Sequence, residues 1–222
     1  MTAFSFFLAG LPAAYAIDRA VLRLTDVPAF DEDEREEQSM LPWQVGPWPG
    51  RVRLFVAFLA PFLLAVAGWR FDVPQAIAVS ALLFALLVCT GTDLIRYRVP
   101  NVVTYPGIAL ALLASLAMPD GDFVSAIAAA AAGGAIFLVI AMITRGGIGL
   151  GDVKLAMLIG AALGLSGSYQ ALVLGVMAGG IVIVLLLVAG VVSRRQAVPY
   201  APFLALAAAA TVLARGAIFA PL

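Results

Sequence analysis

The 222-residue chain has no histidine, a single cysteine (Cys89) and only 12% charged residues. Without histidine, and with one thiol, it can form neither an internal disulfide nor any Cys/His zinc pattern. Its charged fraction is about half of the quarter usual in soluble domains. Thirteen Lys and Arg balance thirteen Asp and Glu, so no basic surface argues for nucleic acid. No metal, cofactor or nucleic-acid partner is expected.

What is abundant is apolar sequence: 64% of residues are hydrophobic and the mean hydropathy is +1.07. Besides a first run at 3–17, apolar stretches cover 54–69, 73–92, 102–118, 123–144, 153–165, 169–192 and 199–219. Several approach the ~20 residues a membrane helix needs. The expected fold is therefore all-α, a polytopic bundle of about eight transmembrane helices in contact with membrane lipid. Ala14-Tyr15-Ala16 mimics a signal-peptidase site, but no Lys or Arg precedes the first run. A signal peptide needs that charge, so residues 1–24 are expected to be a retained span. Residues 25–51 form the only long polar segment, with six acids around Arg35 in 31–37, and are read as a solvated acidic loop. Residues 52–222 form the membrane-embedded remainder.

Two interruptions of this apolar pattern need a reason. Residues 145–155 place Gly146, Gly147, Gly149 and Gly151 ahead of Asp152 and Lys154, so a Gly-rich break precedes Asp152. Glycine permits close approach of another backbone. Irregular backbone at membrane depth is tolerated only within protein or facing a water-filled cavity. The second interruption is Asp93, which ends an earlier run seven residues before Pro100-Asn101. An ionisable residue at the edge of a span is by default a candidate functional residue.

Cationic residues set the orientation. With the N-terminus outside, Arg19, Arg23, Arg35, Arg51, Arg53, Arg96, Arg98, Arg145, Lys154, Arg194 and Arg195 fall on the cytoplasmic side, leaving only Arg70 and Arg215 outside. That asymmetry follows the positive-inside rule. It puts Asp93 and Asp152 at cytoplasmic ends of their segments. Two nearby carboxylates cannot both ionise easily, so a shared proton provides one base and one acid, with titrations that belong to the pair. Such a pair can activate water against a peptide bond. Around it, Gly149 and Gly151 would admit substrate backbone, Lys154 would bias the pair or anchor the helix, Pro100 would set the turn and Asn101 would cap exposed amides.

Gly149-Leu150-Gly151-Asp152 with Val153-Lys154-Leu155, together with Asp93 ahead of Pro100-Asn101, resembles the type IV prepilin peptidase family of intramembrane aspartic proteases. The segment from Val198 to Leu204 is similar to that family's closing proline motif. The resemblance implies an endopeptidase with Asp93 and Asp152 as catalytic pair. It further implies, as partner, a prepilin or pseudopilin precursor with a basic leader and an apolar helix. The anionic segment 31–37 would attract such a leader. Many longer members carry two Cys-x-x-Cys pairs in a domain after the first span, and methylate the new N-terminus. Here that loop is acidic and cysteine-free, which puts N-methyl transfer in doubt.

Two alternatives belong to other classes. A proton- or cation-coupled transporter also uses paired intramembrane carboxylates and broken helices. Transporters of that kind usually show repeated halves, and neither motif occurs twice. A non-enzymatic scaffold leaves both aspartates unexplained. Presenilin-like proteases pair Gly-x-Gly-Asp with Tyr-Asp and Pro-Ala-Leu motifs, whereas Thr92 precedes Asp93 here and no Pro-Ala-Leu occurs.

Overall fold

A computed structural model describes residues 2–25, 50–118, 121–144, 148–193 and 198–216. The acidic segment 31–37, the glycines at 146 and 147, and Asp120 lie outside the described residues. The described chain is all-helical: α1 (Thr2–Thr25), α2 (Gly50–Arg70), α3 (Val73–Arg96), α4 (Asn101–Ala117), α5 (Phe123–Thr144), α6 (Leu150–Val188) and α7 (Ala201–Arg215). Helices α1, α3, α5 and α6 are long and apolar enough to cross a membrane, while α4 and α7 are shorter apolar helices.

The seven helices make eight rods because α6 breaks at Gly164, whose φ of 63° and ψ of −173° are not helical. Packing against α5 shows what the break does. Gly160 sits on the backbone of Ala129 and Ala130, and Gly133 faces both Ala156 and Leu172. Residues eight before and eight after Gly164 thus meet one point of α5, so the chain reverses and α6 is a hairpin. Its arms, 150–163 and 165–188, correspond to the two apolar runs expected from sequence. The turn falls on Gly164 itself rather than on the 166–168 segment between those runs.

The first arm is the centre of the bundle. Val153, Leu155, Ala156 and every residue from Leu158 to Gly164 are buried, against few buried positions in the second arm. At about 1.5 Å per residue this arm is short for a span, but it is enclosed by other helices rather than lipid. Close approach is supplied by small residues, as expected where lipid tails are as apolar as side chains. Gly133 and Gly134 seat α6 on α5, while Gly175 and Gly179 seat Leu204 and Tyr200 of the α7 region. Asp93, Asn101 and Asp152 all fall at the same end of the bundle. Arg70, Gly164 and Arg215 fall at the other, where Arg70 donates to the Leu213 and Ala214 carbonyls that end α7.

Candidate active site

Asp93 lies in the last turn of α3, whose register points it inward. Thr92, Cys89 and Val88 beside it are buried, and the Thr92 hydroxyl is spent on the Val88 and Cys89 carbonyls. Helix α3 ends at Tyr97, which takes the left-handed conformation (φ 51°) while its amide donates to the Asp93 carbonyl. The chain then turns through Val99 and Pro100 into α4. Pro100 occupies the N-cap position and accepts from the amides of Val103 and Thr104.

The Asp93 side chain is 6% exposed and reaches across to the start of α7, where its Oδ2 accepts from the Ala201 amide at 3.0 Å. Asp152 is 7% exposed and occupies the first turn of α6. It forms a reciprocal cap with Gly149: the Asp152 amide donates to the Gly149 carbonyl at 3.0 Å, and Asp152 Oδ2 accepts from the Gly149 amide at 3.2 Å. An acid in the first turn also meets the positive end of the helix dipole. Its other oxygen, Oδ1, is buried without a hydrogen-bond partner. The two carboxylates come from different helices yet interact electrostatically, so the fold has brought them to one place. Tyr200 adjoins both. Its phenol donates to the Val176 carbonyl at 3.2 Å.

The remaining sequence candidates take different parts. A Cβ on Gly151 would lie 3.0 Å from Val99 Cβ and Cγ2, so Gly151 seats the α3–α4 corner. Gly149 has room: a Cβ there would meet only its own turn, at 3.7 Å or more. It lines an apolar cleft of about 330 Å³ with Leu138, Ala141, Met142, Ile148 and Leu150. Asn101 makes no cap on α4. Its Oδ1 instead accepts from Lys154 Nζ at 2.6 Å, and the ammonium also lies over the Tyr105 ring. Lys154 is therefore turned to α4, the physical reason being that residues two apart on a helix face different sides. Sequence reasoning passed over Tyr200, Ala201 and Val99 as site residues. The signal for the first two was Pro199 and Pro202 bracketing them in the middle of an apolar tail.

Residues 80–184, which carry both aspartates, match the type IV leader peptidase family. The match agrees with the resemblance read from the motifs around the two aspartates, and it ends before the 198–204 segment. The chain is also 31% identical over 144 residues to the prepilin leader peptidase/N-methyltransferase of Bacillus subtilis (strain 168), an alignment covering 64% of this chain and 58% of that protein. It thus spans somewhat over half the length of this curated relative. No solved structure gives a significant match.

Proposed function

We propose that the protein is an intramembrane aspartic endopeptidase that removes the leader of prepilin-like or pseudopilin precursors at the cytoplasmic face of the inner membrane. The observation that carries this reading is the pair of buried, interacting carboxylates of Asp93 and Asp152, with Asp152 Oδ1 unpartnered. A buried acceptor left without a partner costs about 1–3 kcal/mol, more if charged, and such exceptions in a folded protein go with strain, a catalytic role, or a water or ion as partner. Oδ1 accepts from no protein donor among the described residues, which leaves it as the oxygen that can accept from a water.

In the reaction, the ionised member of the pair takes a proton from water as the water oxygen attacks the scissile carbonyl carbon. The protonated member gives its proton to the carbonyl oxygen, producing a gem-diol. A proton then passes to the amide nitrogen, the C–N bond breaks, and the diol collapses to an acid and a free amine, with the shared proton restored. Gly149 supports substrate entry, because it is sterically open, borders the apolar cleft and donates to Asp152. Residues 52–222 make up the peptidase unit. The precursor's basic leader meets the acidic 25–51 segment, and its apolar part meets the membrane bundle.

Purified enzyme in lipid, given a prepilin, tests this. Asp93→Asn and Asp152→Asn each lower cleavage by at least about 10³-fold while protein level and insertion persist; turnover in either variant overturns the assignment. Supplying labelled S-adenosylmethionine separates a second activity. Leader cleavage without methylation is expected, because the internal loop holds no cysteine for a structural zinc; efficient methylation of the product would reverse that part alone.

A further inference from the structure

We propose that the corner at Pro199–Pro202 is a working part of the catalytic site, with Tyr200 and Gly179 as positioning residues that set where Asp93 points. This rests on the aspartic peptidase reading and adds to it a third element, remote from both aspartates in sequence.

Asp93 Oδ2 is held by the amide of Ala201 at 3.0 Å, and the Tyr200 amide also bears on the carboxylate. These are the amides at the very start of α7, where no preceding turn exists to accept them. A carboxylate therefore satisfies donors that are otherwise orphaned, and in return its rotamer is fixed. The position of those amides depends on where the corner rests. It rests on Tyr200, whose ring packs against Gly179 on the second arm of α6. A Cβ on Gly179 would come within 2.7 Å of Tyr200 Cε2 and 3.0 Å of Cζ. One turn earlier, the Val176 carbonyl accepts from the phenol at 3.2 Å. Leu204, the next inward residue of α7, is seated on Gly175 in the same way.

The chain of contacts is thus Gly179 to the Tyr200 ring, Tyr200 to the Ala201 amide, and that amide to Asp93. The Tyr200 phenol is spent on the Val176 carbonyl. It acts as an anchor rather than as a proton donor to the substrate. An acid-base pair requires both carboxylates within reach of one water, and a displacement of about 1 Å in a catalytic group can cost on the order of 10²-fold in rate. A ring wedge that fixes Asp93 therefore sets turnover.

Two adjacent glycines on α6 provide the experiment. Gly179 is filled by Tyr200, whereas a Cβ on Gly180 would meet nothing within 4 Å. Gly179→Ala and Gly180→Ala make the same chemical change one residue apart. In cleavage assays on purified protein in lipid, Gly179→Ala is expected to lower kcat by about 10²-fold with KM little changed, and Gly180→Ala to match the parent. Tyr200→Phe keeps the ring but removes the bond to Val176, and should lower kcat by a smaller factor while the protein remains folded. A merely structural role would lower the thermal midpoint and yield but leave kcat per folded molecule intact. If Gly179→Ala and Tyr200→Phe keep the parental kcat while Asp93→Asn and Asp152→Asn are inactive, the corner proposal falls and the aspartic reading stands. If the Asn variants cleave, the aspartic reading itself fails.

Discussion

Lys154 Nζ donates to Asn101 Oδ1 at 2.6 Å, tying the first turn of α6 to the first turn of α4. The bond makes these two residues a strap between α4 and α6, which differs from one of the two sequence readings of Lys154, a charge acting on the pair, and accords with the other, an anchor of its helix. The ammonium is occupied by Asn101 and by the Tyr105 ring, 5.6 Å from its centroid.

Lys154→Met and Asn101→Ala should each cost about 1 kcal/mol or less, because the pair is partly exposed and such contacts are weak in water. The measured outcome is a thermal midpoint lower by a few degrees and a modest fall in kcat. Lys154→Met should leave the limbs of the pH–rate profile where they are, since the ammonium is turned away from the carboxylates. A displaced limb would show that Lys154 acts on Asp152 after all.

Gly149 and Gly151 look equivalent in the sequence and are opposite in the structure. Gly151→Ala presses a methyl against Val99 at 3.0 Å and pushes the corner that follows Asp93, so kcat should fall by about tenfold or more. Gly149→Ala meets only ordinary contacts. It should fold with an unchanged midpoint and raise KM, because its methyl enters the cleft beside Asp152. Equal kinetic behaviour of the two variants would contradict this division of labour.

The bundle was legible because apolar run length and breaker residues are local signals: all eight runs correspond to rods, with the break before Asp152 at Ile148 and Gly149. The reversal at Gly164 was not, since Gly160, Gly164 and Gly167 are alike in sequence and only packing against Ser125 and Ala129 decides which one turns. Asp93 and Asp152 stood out as carboxylates at the ends of apolar runs, where ionisable groups are costly. Tyr200, Ala201 and Gly179 did not. Pro199 and Pro202 mark the place of the first two, but the contacts of all three depend on the register of α7 against α6, which spacing along the chain does not encode. Asn101 was misread for the same reason: capping is its usual local use, and a partner from another helix displaced it.

Orientation in the membrane rests on the distribution of Lys and Arg, and the bundle supplies its internal consistency. Asp93, Asn101, Asp152 and Ala201 share one end, so a single assignment places the whole site. Reporter fusions after Arg98 and after Arg195 should give cytoplasmic signals, and a fusion in the 119–122 segment should give an outside signal. Cytoplasmic signals on both sides of α4 would remove it as a span. Asp122 in that segment caps α5, accepting from the Ser125 amide at 2.9 Å; Asp122→Asn keeps an acceptor and should be nearly silent in cleavage.

The hairpin in α6 makes the last test, because it lies at the end of the bundle remote from both aspartates and so separates folding from chemistry. Gly164 has φ 63° and ψ −173°, a combination that side chains avoid and that costs of order 1–3 kcal/mol when forced. A Cβ there would also press on Ser125 Oγ at 3.0 Å, the atom that accepts from the Leu165 amide at 2.9 Å and so caps the second arm. Gly164→Ala should therefore lower the thermal midpoint and the yield of folded protein. Ser125→Ala should do so by less, about 1 kcal/mol for a lost cap. In both, kcat per folded molecule should stay near the parental value, since the first arm still delivers Asp152 to the same place. A stable Gly164→Ala protein would argue for a continuous rod through residue 164, whereas a stable fold with lost turnover would mean that the turn reaches the site through the buried arm.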